Sequence, residues 1–358
     1  MAYVAGTYTA SDLPHILKKE ADLLSGQSRM SELTQPIIAG QAILQNMNPD
    51  ITGIQFAGEE CIKAKVTNIR AASTITGSKS ITCVPTGGIE AGTDSKEFSK
   101  TVLTNIARFK IWDHECHNQY DFNERFAYMN LKTKIDLELE LTKVLINYLA
   151  TNADVPDPTW FKSTSVTPVV DDTNVLEIAT ADWKGDLLAD FYAIKTLADM
   201  PNAIILSGRN LWNATMLAQF QVNYASTNNQ VLTGQNWFDL YFDLKNIDQT
   251  LSGAETLMMD KNAIIFWSSP LHPQMMQPKL MAADTYMWSD VLPRLKSMAN
   301  GAMQNIYVDI KTARGCTSGS YWTEYEYILR GALDTNLPNQ NSDYGILRFR
   351  NVTTPANE

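Results

Sequence analysis

The sequence predicts an α+β fold, and three observations carry that reading. Residues 119–150 keep a helical period and are apolar on two faces. Two blocks, 51–112 before that helix and 305–349 near the end, have β-type composition and alternation. Between them, over 154–304, short apolar runs alternate with amphipathic helical stretches.

The first 50 residues read as an arm. Ser11-Asp12 ahead of Leu13 and Pro14 is a capped helix start, and Leu13, Ile16, Leu17, Ala21 and Leu24 recur at helical spacing until Ser25-Gly26. Pro36, Gly40 and Pro49 break up the remainder. A short amphipathic helix in an irregular leader has little core of its own and must dock elsewhere.

Residues 51–112 follow as β. Cys61 to Thr67 alternates imperfectly, and Thr74 to Thr82 carries two β-type runs around Gly77-Ser78-Lys79, a hairpin signal. Thr101 to Trp112 alternates again, with Ile106, Arg108 and Lys110 on one parity. The block is Thr-rich and poor in large apolar residues, as suits a β arm that projects and packs on a neighbour.

In the long helix, Phe122, Phe126 and Met129 give the i, i+4, i+7 signature, and Leu137, Leu141, Val144, Leu145 and Tyr148 share a face. Ile135, Leu139 and Ile146 lie on another. Residues 135–141 alternate like a strand, but Leu, Glu and Lys are strong helix formers and both flanks keep the helical period. A helix apolar on two faces is held between two partners.

Pro156-Asp157-Pro158 ends that block. Asp182–Leu197 reads as an amphipathic helix and Asn202–Leu206 as a buried strand. Ser207-Gly208-Arg209-Asn210 then caps a helix running through Phe220. Residues 223–236 are Asn/Gln-rich and read as an exposed loop. Trp237–Leu244, Thr256–Met259 and Ala263–Trp267 read as strands, and Met287–Met298 as a helix broken by Pro293. From Asn305 onward alternation returns: Ile306, Val308 and Ile310, then Tyr321, Thr323, Tyr325 and Tyr327, then Gly345–Phe349.

Composition narrows the function. The 358 residues carry 29 Lys+Arg against 39 Asp+Glu, a net charge of −10, which argues against wrapping nucleic acid or binding membranes through basic patches. Charged residues are 19 %, low for a soluble domain, which suits a chain covered largely by other protein. No run approaches a membrane span, and the start Met1–Gly6 lacks the pattern of a signal peptide. Cys61, Cys83, Cys116 and Cys316 are scattered, so a reducing compartment at synthesis is expected.

Chemistry-bearing patterns are sparse: no phosphate-binding glycine motif, no GxSxG and no HExxH. His114, Cys116 and His117 could contribute metal ligands, but a third or fourth partner at defined spacing is missing, and the cluster also reads as a polar hinge. Ser207-Gly208-Arg209 could hold an anion at a helix N-terminus, against ordinary capping. Trp237, Trp267 and Trp288 read as core or interface aromatics, and Glu59-Glu60 and Asp171-Asp172 as solvated pairs. No catalytic residue and no cofactor is expected.

The order of elements resembles the major capsid protein of tailed bacteriophages, the HK97-type fold. Three stretches carry it: the helix Asn123–Ala150 in place of that family's spine helix, Asn202–Trp212 as its A-domain strand and helix, and Asn305–Asp309, Tyr327–Leu333 and Gly345–Phe349 as its closing P-domain strands. The resemblance implies an N-arm at 1–50, an E-loop at 51–112, a P-domain at 113–153 and 305–358, and an A-domain at 154–304. It implies self-assembly into an icosahedral shell around double-stranded DNA, enclosed without sequence-specific binding. The partners would be copies of itself in hexamers and pentamers, with scaffolding, portal and decoration proteins as separate chains. Assembly would occur in the host cytoplasm, with the virion as destination.

Leu137, Leu139, Leu141 and Ile146 on the helix, Lys79 at the hairpin tip, and Leu13 and Leu17 on the arm are the expected interface residues. Some relatives crosslink an E-loop Lys to an Asn; no partner Asn for Lys79 stands out here. An encapsulin, a nanocompartment shell of the same fold, and a soluble α/β enzyme with a β appendage are the alternatives. The enzyme would need a pocket of converging titratable groups, which the sequence does not display.

Overall fold

In the computed structural model of the protein, one 33-residue helix is flanked by two six-stranded sheets. The structure describes residues 18, 37–47, 51–57, 61–66, 102–116, 118–154, 156–161, 168–170, 174–183, 186–198, 200, 202–215, 239–251, 254–261, 263–268, 279–282, 285–299, 302–335 and 345–353. The expected arm helix, the hairpin around Lys79 and the loop at 223–236 lie outside them, apart from Lys18, which is helical.

The chain runs α1 (Ile38–Gln45), β1 (Ile51–Ala57), β2 (Cys61–Val66), β3 (Val102–Trp112), α2 (Gln119–Thr151), β4 (Pro168–Val170) and β5 (Leu176–Ala179). It continues with α3 (Asp186–Leu197), β6 (Ile204–Ser207), a helical stretch at 209–215, β7 (Leu240–Phe242), α4 (Leu244–Thr250), β8 (Glu255–Met259) and β9 (Ile264–Trp267). β10 (Lys279–Ala282), β11 (Thr285–Ala299), β12 (Ala302–Thr317), β13 (Ser320–Thr335) and β14 (Ile346–Val352) close it.

The long sheet has the order β10-β11-β12-β13-β3, with β9 on the end of β13. All its pairings are antiparallel. β12 and β13 form a hairpin closed by Ser318 and Gly319, both at positive φ (53° and 82°), as a two-residue hairpin turn matching strand twist requires. Alternation decides the faces. Phe109, Ile111, Tyr325, Tyr327, Val308 and Ile310 point to the helix and are buried, whereas Ile106, Arg108 and Lys110 face solvent.

The second sheet has the order β4-β5-β14-β8-β6-β7. Its central strands are apolar on both faces and buried on both. Ile204, Leu206, Leu257 and Met259 join the core around α2, while Ile205, Met258, Leu347 and Phe349 pack with Leu187, Phe191 and Ile194 of α3. Each fully buried side chain of this size contributes about 1.5–3 kcal/mol of transfer free energy.

α2 begins at Asn118, whose side-chain oxygen accepts the Asp121 N–H at 2.9 Å. Its strand-like stretch at 135–141 is helix, as its helix-forming residues predict. The apolar faces are both used inside the subunit: Leu137, Leu141, Leu145 and Ile146 sit in the core shared with the two sheets. Leu131 and Ile135 form a smaller cluster with Leu139.

Three expectations are corrected. Met287–Met298 is strand β11, not a broken helix. Residues 37–47 are not irregular leader: Ile37, Ala39, Ala42, Ile43, Leu44 and Met47 are buried in the main core, and Gly40 is a contact point rather than a breaker. Among the described residues of the run 237–244, Leu240–Phe242 are strand, and Asp243 caps α4. The sheets also divide the chain differently from a boundary at 305, since β10 and β11 belong to the long sheet and β14 to the second.

Candidate assembly interface

β11 meets α2 through charges of opposite order. On the helix, Lys134 precedes Glu138 by one turn; on the strand, Asp290 precedes Arg294. Lys134 Nζ lies 2.5 Å from Asp290 Oδ2, and Arg294 Nε lies 2.6 Å from Glu138 Oε2. Pro293 explains why the strand needs this partner. It has no N–H, and the ladder to β12 shifts between Val291 and Lys296, leaving Arg294 and Leu295 outside the register. Their backbone N–H groups donate instead to Glu138 Oε1, at 2.6 and 3.1 Å. Glu138 is fully buried, and desolvation raises its carboxyl above the usual glutamate value against the pull of Arg294 and the two N–H groups.

A second buried carboxylate ties the N-terminal segment to this region. Asp243 Oδ1 accepts the Asn246 N–H at 3.1 Å, capping α4, and its Oδ2 accepts the Ala39 N–H at 3.0 Å, in the first turn of α1.

Among the expected interface residues, Leu137, Leu141 and Ile146 leave no surface for a neighbour, because the chain's own core covers them. Leu139 is half-buried and floors a groove of about 260 Å³ between α2 and α4, with Ile135 beside it and Lys132, Lys143 and Lys245 on its rim. Leu13, Leu17 and Lys79 lie outside the described residues. Large apolar side chains at the surface include Ile106, Tyr120, Met303 and Tyr321.

The outer face of the long sheet is a charged ladder. Arg108 Nη2 lies 2.5 Å from Glu326 Oε2 and Lys110 Nζ 3.8 Å from Glu324 Oε2, on directly paired residues. Lys110 also stands 4.2 Å above the Trp322 ring. That ring lies over Gly315, where an added Cβ would come within 2.1 Å of it.

The described part of the Asp113–His117 cluster, residues 113–116, connects β3 to α2. Asp113–Glu115 is a single 3₁₀ turn between β3 and α2, and Asp113 Oδ2 accepts from Arg314 Nη2 at 3.2 Å. His114 is exposed and lies against Trp112, Cys116 is buried with its thiol pKa raised by desolvation, and His117 is outside the described residues. No group of three or more His, Cys, Asp or Glu among the described residues could hold a metal ion. At Ser207-Gly208-Arg209 the chain itself supplies the acceptor, since the Arg209 N–H donates to Asp248 Oδ1 at 3.0 Å.

Trp288 is core, as expected, and Trp267 is half-buried. Trp237, Glu59-Glu60 and Asp171-Asp172 lie outside the described residues. Glu138, Arg294 and Asp243 were not singled out from sequence. The available signal was Glu138 itself, which has Leu137 and Leu139 beside it and Ile135 and Leu141 three residues away, while Asp136 and Glu140 share the exposed side.

No family model matches the chain, and no curated protein does. Solved phage structures are among those similar to it. One, from Microbacterium phage Oxtober96, is 13 % identical with a TM-score of 0.43, over 93 % of this chain and 99 % of that one. The capsid of Myoviridae phage XM1 is 11 % identical with a TM-score of 0.41, over 98 % of this chain and 100 % of that one. An encapsulin complex from Synechococcus elongatus is 10 % identical with a TM-score of 0.32, over 72 % and 77 %. At such identities and TM-scores, what this chain does has to come from its own geometry.

Proposed function

We propose that this chain is the major subunit of an HK97-type phage capsid, assembling through copies of itself into an icosahedral shell that encloses double-stranded DNA. The observation that carries the proposal is the combination of a rigid platform with a two-stranded sheet that stands apart from it. α2 clamped between two sheets makes the platform. Among the described residues, β1 and β2 form a two-stranded sheet of their own, joined to neither large sheet. A lone hairpin is marginal in water and gains stability from a neighbour.

On this reading residues 1–50 are the N-arm and 51–112 the E-loop, whose last strand, β3, joins the long sheet. The P-domain, 113–153 and 305–358, holds α2, nearly all of β12, and β13, and the A-domain, 154–304, holds α3 and β4 through β8. The proposed role is structural; in another groove, about 480 Å³ at the start of α2, Arg125 pairs with Glu115 at 3.2 Å and Asp121 at 3.3 Å. Hexamers and pentamers of this chain, a host-cytoplasmic assembly route and a virion destination belong to the same proposal.

Electron microscopy of the purified chain tests the shell, and nuclease-protected DNA in particles from cells tests the contents. Closed shells or capsomers are expected, with protected duplex DNA. A monomer at high concentration overturns the shell reading. Shells holding a protein cargo and no protected DNA overturn DNA enclosure and favour the nanocompartment.

A further inference from the structure

We propose that α1 is a strap that closes over the Glu138–Arg294 clamp, so that the seating of the N-terminal segment controls whether β11 stays locked to α2. This inference is independent of what the chain assembles into. α1 packs on both partners of the clamp. Its Gly40 faces Thr142, one helical turn beyond Glu138, so closely that a Cβ would come within 2.3 Å of Thr142 Oγ1. Its Gln41 Nε2 donates to the backbone oxygen of Arg294 at 3.5 Å, a contact with the bulged segment itself. Ala42, Ile43 and Leu44 share one buried cluster with Leu137 and Leu141 beside Glu138, and with Leu292 and Leu295 beside Arg294.

The clamp depends on being dry. Glu138 holds two strand N–H groups and a guanidinium that water would otherwise solvate, and these bonds strengthen as the local dielectric falls. α1 is held over it by separable ties: the Asp243 bond to Ala39 N–H, the Gly40–Thr142 contact, and apolar packing. Withdrawing α1 admits water to the clamp and frees the Pro293 bulge without altering any clamp residue. α1 therefore acts on the long sheet as a strap.

Hydrogen exchange of the full chain tests the strap. Gly40→Ala inserts a methyl group where Thr142 leaves no room. Exchange over 292–296 should quicken at least about tenfold, with the β12–β13 hairpin unchanged. Thr142→Ala in the same chain makes room and should restore protection. Ile43→Ala loosens α1 by lost packing rather than by a clash, and should also expose 292–296 if the wedge variant fails to fold. The proposal is overturned if α1 exchanges freely in either variant while 292–296 stays as protected as in the parent, or if the double variant shows no rescue.

Discussion

Replacing Glu138 by Ala removes the carboxylate that accepts the Arg294 and Leu295 N–H groups of the β11 bulge and the Arg294 guanidinium. Two backbone N–H groups lose their acceptor, at about 1–3 kcal/mol each when buried. The Arg294 side chain, 18 % exposed, loses its ion-pair partner, and breaking one side of a buried pair costs about 3–5 kcal/mol. These costs overlap, because one group serves all three bonds, and removing a desolvated charge gives some energy back. A net loss of about 3–5 kcal/mol is expected, a large share of the roughly 5–15 kcal/mol that stabilises a domain.

Urea unfolding of dispersed subunits, followed by tryptophan fluorescence, measures the loss as a lower midpoint at unchanged slope. The double replacement Glu138→Met with Arg294→Met separates the contributions. If only the ion pair mattered, a buried apolar pair would restore stability. If the bulge N–H groups matter as the geometry says, the double variant stays about 2–3 kcal/mol below the parent. A Glu138→Ala chain within about 0.5 kcal/mol of the parent would refute the clamp.

Asp260 is pushed up to about 6, first by desolvation, with the Lys261 N–H and Lys195 pulling it down. Its folded value exceeds the ordinary one, so its stabilising contribution is complete below about pH 4 and is lost as pH rises through about 6. Asp260→Asn should therefore stabilise the chain at pH 8 by about 1–2 kcal/mol after allowing for partial solvent screening, and the difference should shrink toward pH 5 in paired melting curves. Gly315→Val drives its side chain into the Trp322 ring; a cost of about 1–3 kcal/mol and a shifted tryptophan emission are expected. Leu139→Asp, on the half-buried floor of the α2–α4 groove, should block assembly more than it lowers subunit solubility, and normal particles in electron micrographs would refute that role.

Local order was legible wherever a single period dominated. α2 follows from residues that form helix even where they alternate, and β6, β8 and β9 from short apolar runs buried on two faces. β11 was misread because its alternation fails at residues 292–295, and a proline in a paired strand argues against a strand. What permits it is Glu138, 156 residues away in the chain, and no local pattern contains that partner. α1 was misread for a related reason: Gly40 reads as a breaker until Thr142 is seen against it. The expected interface on α2 rested on apolarity alone, which does not say whose atoms cover a face; here the subunit covers Leu137, Leu141 and Ile146 itself.

The pairing of β3 with β13 has a kinetic consequence. Residues 102–112 wait for residues 322–332 before their edge is satisfied, and the Arg108–Glu326 bond spans 218 positions. So distant a closure makes the long sheet slow to form, and it cannot form on the ribosome until residues 322–332 have emerged. A truncated or half-made chain therefore lacks the platform. Whatever surface that platform offers to other molecules exists only on finished subunits, which keeps fragments from being built into larger structures.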